Sequence, residues 1–273
     1  MIETTHVLDG VEIATLEAGE GGVPLLAVHG FTGCKEDFAD ELDLLAELGF
    51  HVVAPDLRGH GRSTHLADES AYSLVRFADD LWRLADDLGW DRFDLLGHSM
   101  GGMVAQVMVL DRPERIGRLV LMDTHHGVVP GLDLDLIELG IELARTEGLE
   151  VIQQLLQVGA DPLDNPAYHR LCLERPGYAE WSESKMLRAS ASMYAAMLHQ
   201  LAHATDRLDL LESVTSPTLV VVGELDNAFL GASHAIAGRI PLAVLDVIPD
   251  AGHSPQFEAT DAWRCSVHAF LLT

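Results

Sequence analysis

The sequence is poor in cysteine and lysine and has no long apolar run. Its apolar runs stay shorter than the roughly 18 residues that a membrane span needs. The first residues, MIETTHVLDG, have neither the basic nor the apolar stretch of a signal peptide. Because the cysteines are few, odd in number and widely spaced, we expect reduced thiols in a cytoplasmic protein. These cysteines are Cys34, Cys172 and Cys265.

Basic residues are also scarce, and this limits the partners that we expect. The chain has 43 acidic and 17 basic residues, a formal charge of −26, and its only lysines are Lys35 and Lys185. Nucleic acids and anionic membranes attract surfaces of the opposite sign, so we predict neither as a partner. Such a surface keeps a protein soluble at high salt, but an ordinary acidic protein explains it equally well. The oligomeric state stays open, a homodimer included.

Strand-like and helix-like segments alternate along most of the chain. This rhythm predicts an α/β fold with a parallel sheet and helices on both faces. The predicted strands are 7–13 (two short strands around an Asp-Gly turn), 24–29, 50–55, 93–96, 118–122, 218–222 and 242–248. The predicted helices are 36–48, 73–88, 100–110, 228–239 and 258–271.

One stretch, residues 127–210, breaks the alternation because it has helical patterns and no convincing strand. We therefore predict a core formed by residues 1–126 and 211–273 and a helical insertion formed by residues 127–210. Within the insertion, Met186, Met193, Tyr194 and Met197 fall at helical spacing. Packing inside the insertion explains such a stripe best, although methionines also adapt to apolar ligands.

The segment GHSMG, residues 97–101, carries the first chemical signal. It matches G-x-S-x-G, a weak pattern alone, but it lies between a predicted strand and a predicted helix, where a nucleophile elbow belongs. Glycines at 97 and 101 let the strand and the helix approach each other without a Cβ clash. The helix N-terminus behind Ser99 offers amides to a developing oxyanion.

A serine hydroxyl is a poor nucleophile without a base. The candidate base is His253, in AGHSP after the last predicted strand, and the candidate acid is Asp226, in GELD after the preceding strand. The order serine, aspartate, histidine is typical of α/β-hydrolases. All three residues follow the carboxyl ends of strands, where open α/β sheets place their sites. Glu224 and Asp123 stay open as alternative acids.

On these residues the chain resembles α/β-hydrolases of the capped esterase, lactonase and haloperoxidase-like group. The resemblance covers nearly the whole chain and includes the segments HGFTG (29–33), APDLRGHGRS (54–63), VGELD (222–226) and AGH (251–253). It implies a mostly parallel eight-stranded sheet with residues 127–210 as a helical cap inserted after the sixth strand. It also implies an oxyanion hole formed by the backbone amides of Phe31 and Met100.

The reaction that the residues and the resemblance predict is cleavage of a small-molecule carboxylic ester or lactone by a serine hydrolase. It needs no metal or organic cofactor. Epoxide hydrolases and haloalkane dehalogenases share the fold but use an aspartate nucleophile, so Ser99 argues against both. Other chemistry on the same residues stays open: a thioesterase, a carbon–carbon bond hydrolase, a cofactor-free perhydrolase, a lyase or a weakly catalytic ligand receptor. The candidate substrate contacts are Gly30, His125, Met193 and Met197.

Two further histidines, His199 and His203, have the i, i+4 spacing of metal ligands on one helical face. No accompanying carboxylate pattern completes such a site, so we predict no metal there.

Overall fold

Eight strands form a single sheet in this computed structural model, which describes residues 1–158 and 164–273. The strands are β1 (Ile2–Leu8), β2 (Val11–Ala18), β3 (Val23–Val28), β4 (Phe50–Pro55), β5 (Phe93–His98), β6 (Ile116–Met122), β7 (Thr218–Gly223) and β8 (Ala243–Ile248). They lie side by side in the order β1-β2-β4-β3-β5-β6-β7-β8. β2 is antiparallel to both β1 and β4, and β4, β3, β5, β6, β7 and β8 run parallel. The predicted mostly parallel sheet of eight strands is confirmed.

The helices of the described residues fall into two groups by their place in the chain. Those that alternate with the strands are α1 (Ala39–Glu47), α2 (Leu74–Asp87), α3 (Met100–Asp111), α9 (Asn227–Arg239), α10 (Pro255–Glu258) and α11 (Thr260–Leu271). Those between β6 and β7 are α4 (Leu134–Thr146), α5 (Leu149–Val158), α6 (Pro166–Glu174), α7 (Tyr178–Leu187) and α8 (Ala191–Ala202). The second group lies within the predicted cap, whose residues 159–163 are outside the described residues. The division into core and cap stays a prediction.

Two hydrophobic layers cover the sheet. Helices α2, α3 and α9 pack on one face, where Leu26 of β3 points, and α1 and α11 pack on the other, where the neighbouring Leu25 points. Successive side chains of a strand point to opposite faces, so a strand covered on both sides is apolar at nearly every position. This explains why β7, TLVVVG, is buried throughout.

The first two strands form a hairpin around Asp9 and Gly10. Both residues have positive φ, 49° and 85°, as a two-residue turn of the type favoured by Asp-Gly requires. The predicted turn is confirmed, although the two strands together extend over residues 2–18 rather than 7–13. No helix of the described residues is long and apolar enough to cross a membrane.

Lys35 forms a buried ion pair that joins the segments after β3 and β4. Its Nζ lies 3.0 Å from Oδ2 of Asp56, and both side chains are almost completely buried. The same carboxylate accepts the backbone N–H groups of Lys35 and Arg62. Asp56 therefore fixes both loops at the carboxyl edge of the sheet.

We expect Lys35→Met to lower the free energy of unfolding by about 3–5 kcal/mol, because it leaves the Asp56 carboxylate buried without its cation. Urea denaturation measures the effect. As a control, Arg62→Ala removes an exposed cation and should cost less than about 1 kcal/mol. Equal stability of Lys35→Met and the wild type would contradict the role of this pair.

Candidate active site

Ser99 lies directly after β5, at the residue before α3, in a strained backbone conformation. Its φ is 53° and its ψ is −118°, a region that residues other than glycine rarely adopt. The amide of Ser99 donates to the carbonyl of Met122 at 2.9 Å. Its carbonyl accepts from Oγ1 of Thr124 at 2.6 Å. The sharp bend is therefore held from the side of β6.

The two glycines that flank Ser99 permit the bend. A Cβ on Gly97 would lie 2.4 Å from the carbonyl oxygen of Gly101, and a Cβ on Gly101 would lie 2.3 Å from that of Val28. Both positions therefore exclude a side chain. Gly30 approaches from the loop after β3, where a Cβ would lie 3.1 Å from Cβ of Ser99.

His253 and Asp226 form a buried pair at the same edge of the sheet. Nδ1 of His253 lies 2.7 Å from Oδ2 of Asp226. The ring of Phe229 packs on the imidazole with 4.6 Å between ring centroids. Ser99 and His253 both line one cavity of about 620 Å³. The structure thus brings the three predicted residues to one place, where Asp226 bonds to His253 but is not among the described residues that line the cavity.

The loop that carries His253 is clamped by two further side chains. One oxygen of Glu258 accepts the N–H groups of Gly252 at 2.6 Å and Ser254 at 3.2 Å. Nε2 of His98 donates to the carbonyl of His253 at 2.7 Å. Glu258 is not among the residues predicted from the sequence, where its only signal is an isolated acid beside Phe257 in the segment after AGHSP.

Helix α6 reaches this loop from the predicted cap. Asn165, at the start of α6, leaves no room for a Cβ on Gly252, which would lie 2.2 Å from the Asn165 amide nitrogen. Arg170 donates to the carbonyls of Asp250 at 2.7 Å and Glu258 at 3.1 Å. Any displacement of α6 therefore acts on the backbone that positions His253.

Two buried histidines hold the loop after β3. Nδ1 of His29 donates to the carbonyl of Gly30 at 2.8 Å, while Nε2 accepts the N–H of Leu57 at 3.0 Å. An imidazole with one donor and one acceptor is uncharged, and burial lowers the pKa of His29 accordingly. Nε2 of His60 donates to the carbonyl of Phe31 at 2.6 Å, and burial lowers the pKa of His60 to about 3.

The residues predicted for the oxyanion hole both lie at this edge. His60 donates to the carbonyl oxygen of Phe31 and so fixes the peptide that follows Phe31. The Phe31 ring stacks on Tyr194 of α8, with 4.9 Å between ring centroids. Met100 is the first residue of α3, where an amide has no intrahelical partner. The role of the two amides stays a prediction.

The predicted substrate contacts lie in different surroundings. Gly30 lines the cavity beside Ser99. Met193 and Met197 are fully buried in the main hydrophobic core, and His125 is buried, with its Nδ1 accepting the N–H of Gly127 at 3.0 Å. These three are not among the described residues that line the cavity, whereas Met186 is. Their contact with substrate stays a prediction.

Lys185 and Asp37 form an ion pair in the cavity wall, and neither residue was predicted from the sequence. Nζ of Lys185 lies 2.8 Å from Oδ1 of Asp37 and 4.5 Å from the ring centre of Trp181. Because Lys185 belongs to α7 and Asp37 follows β3, the pair ties the predicted cap to the loop beside Ser99. The only hint of this pair in the sequence is that Lys185 is one of just two lysines in the chain.

One group of potential metal ligands lies within 4.8 Å in the described part of the chain, and it is Asp123, Asp226 and His253. Two of its members already bond to each other. His199 and His203 lie with 4.5 Å between ring centroids, and Nδ1 of His203 bonds to the carbonyl of His199.

Because buried His60 resists protonation, the free energy of unfolding should fall as the pH drops from about 6.5 towards about 3. In that window the unfolded chain binds a proton that the folded chain does not. His60→Gln keeps a donor for the Phe31 carbonyl and should reduce the slope by up to about 1.4 kcal/mol per pH unit. Urea denaturation at several pH values tests this, with substitution of an exposed histidine, His65→Gln, as the matched control.

Comparisons with known proteins agree with this architecture. The family model described as "alpha/beta hydrolase fold" matches residues 23–146. The "Serine hydrolase-like protein" of Homo sapiens is 38% identical over 103 residues, which cover 38% of this chain and 50% of that protein. "Epoxide hydrolase A" of Mycobacterium tuberculosis is 34% identical over 115 residues, which cover 42% of this chain and 36% of that protein. The chain thus spans half or less of the length of these two relatives.

A solved structure matches over nearly the whole length. The thermophilic esterase from Thermogutta terrifontis superposes with a TM-score of 0.82 at 29% identity, covering 99% of this chain and 98% of the esterase. The strand order, the family match and this superposition agree with one another. The chain has the α/β-hydrolase fold.

Proposed function

We propose that this chain is a serine hydrolase that cleaves a small-molecule carboxylic ester or lactone. One observation carries the proposal: a serine in a strained turn shares a cavity with a histidine whose other side is bonded to a buried carboxylate. This is the arrangement that activates a serine hydroxyl. The superposition on an esterase supports the same chemistry.

In the proposed reaction Ser99 attacks the acyl carbonyl while His253 accepts its proton. Asp226 holds the imidazole in the required tautomer and stabilises its charged form. The amides of Phe31 and Met100 donate to the oxyanion of the tetrahedral intermediate. His253 then returns a proton to the leaving group, and water, deprotonated by the same imidazole, releases the acyl group from Ser99.

The serine at position 99 favours ester chemistry over epoxide opening. The hydrolases that open epoxides on this fold need a carboxylate nucleophile, which forms an alkyl ester with the substrate. Asp226 and Asp123 are not among the described residues that line the cavity. The partial likeness to an epoxide hydrolase is therefore a likeness of fold.

Labelling with a fluorophosphonate tests the nucleophile. We expect one adduct by intact mass in the wild type and none in Ser99→Ala, with hydrolysis of p-nitrophenyl acetate and butyrate about 10³-fold lower or more in the variant. Ser182, on α7, lines the same cavity, and Ser182→Ala should still take the adduct. The absence of an adduct and of turnover in the wild type would sink the proposal and favour a ligand receptor.

The clamp on His253 gives a second expectation. Glu258→Ala releases the two amides that flank His253 and should lower kcat by about ten- to a hundred-fold, the loss of bonds to a charged group. KM should change little because Glu258 acts through His253. Glu258→Gln keeps one acceptor and should lose less. Steady-state kinetics on p-nitrophenyl butyrate measure both, and equal losses in the two variants would refute the clamp.

A further inference from the structure

A second buried acid lies beside Asp226, and the proposed mechanism does not use it. Asp123 follows β6 and is completely inaccessible to solvent. Its φ is 44°, and its N–H donates to the carbonyl of Val221 at 2.9 Å. A residue other than glycine in this conformation is held there by its surroundings. Those surroundings turn its carboxyl group towards the pair of Asp226 and His253.

The two oxygens of Asp123 have different environments. Oδ1 accepts the N–H of Gly223 at 2.9 Å. Oδ2 is buried and receives no hydrogen bond from any donor among the described residues. One oxygen of Asp123 lies within 4.8 Å of both an Asp226 oxygen and a His253 nitrogen. A buried oxygen without a donor is costly as an acceptor, but as a hydroxyl it has an acceptor in Asp226.

The electrostatic environment of Asp123 also favours the protonated form of its carboxyl group. Burial and the nearby charge of Asp226 raise the pKa of Asp123 well above its ordinary value. Two carboxyl groups this close in a buried site do not both ionise readily. Glu258 adds further negative charge near Asp123, and His253 lies beside both carboxyl groups.

We propose that Asp123 is a protonated positioning residue whose carboxylic hydroxyl donates a hydrogen bond to the Asp226 carboxylate. The inference rests on the role proposed for Asp226. Asp226 then accepts from His253 on one side and from Asp123 on the other, so its carboxylate plane is fixed and its charge stays directed at the imidazole. Asp123 transfers no proton in the reaction.

Asparagine at position 123 reproduces this arrangement, because its carbonyl accepts from Gly223 and its amide donates to Asp226. We expect Asp123→Asn to keep kcat/KM for p-nitrophenyl butyrate within about three-fold of the wild type. Asp123→Ala should lower kcat by about ten- to a hundred-fold, as expected for a lost bond to a charged group. KM should stay unchanged, since Asp123 does not reach the substrate.

Two readouts do not depend on activity. The folded wild type must keep a proton on Asp123 that the unfolded chain releases above about pH 4. The ratio of the folding equilibrium constant of Asp123→Asn to that of the wild type should therefore rise by up to about ten-fold per pH unit above pH 4. The infrared spectrum of the wild type at neutral pH should also contain the carbonyl band of a protonated carboxyl group, absent from Asp123→Asn.

Each outcome decides the proposal. A variant Asp123→Asn that is as impaired as Asp123→Ala, with no stability gain at higher pH, would show that Asp123 is ionised and overturn it. Loss of activity on treatment with EDTA, restored by zinc, would show that Asp123 and Asp226 share a bound cation rather than a proton. That result would also overturn the proposal. If Asp123→Ala does not fold, the pH and infrared comparisons still decide. If Ser99 takes no adduct, the proposed function fails, whereas these two readouts still test the proton.

Discussion

The close crossing of β5 and α3 over the end of β3 is the constraint on which the site depends. Strand and helix meet with no room for a Cβ at Gly97 or Gly101. The chain between them turns so sharply that Ser99 takes a left-handed φ. Since β3, β6, β7 and β8 run parallel to β5, the loops that follow them open at the same edge. Helices α6 and α7 also contribute residues to the cavity that Ser99 lines.

Polar groups at this edge are buried, and they are satisfied mainly by backbone atoms. His29, His60 and His98 are buried and bond to carbonyl or amide groups of neighbouring loops. Burial also lowers the pKa of His98 to about 3. The Glu258 carboxylate likewise accepts hydrogen bonds from the backbone amides of Gly252 and Ser254, on either side of His253. Low dielectric strengthens such bonds and makes each missing partner costly, so the loops have little freedom to rearrange.

Periodicity and motifs in the sequence were enough to predict the fold and the three residues near the cavity. The parallel strands are short apolar runs, α1 and α2 each have one apolar face, and α3 is apolar nearly throughout. Local patterns therefore determine these elements. Ser99, Asp226 and His253 follow strands directly, and sheet topology brings strand ends together. The contact between Asn165 and Glu258 joins residues 93 positions apart, and no local pattern encodes it. Met193 and Met197 show the same limit, because helical spacing predicts a shared face but not what that face contacts.

The placement of the lysines has a practical consequence. Lys35 and Lys185 are the only two in the chain, and both side chains are largely buried in ion pairs. Reagents that acylate side-chain amines therefore find no exposed lysine for a dye, a cross-linker or a solid support. Among the cysteines, Cys265 is exposed and Cys34 is buried. Attachment through thiols at Cys265 suits this molecule, and it leaves both ion pairs intact.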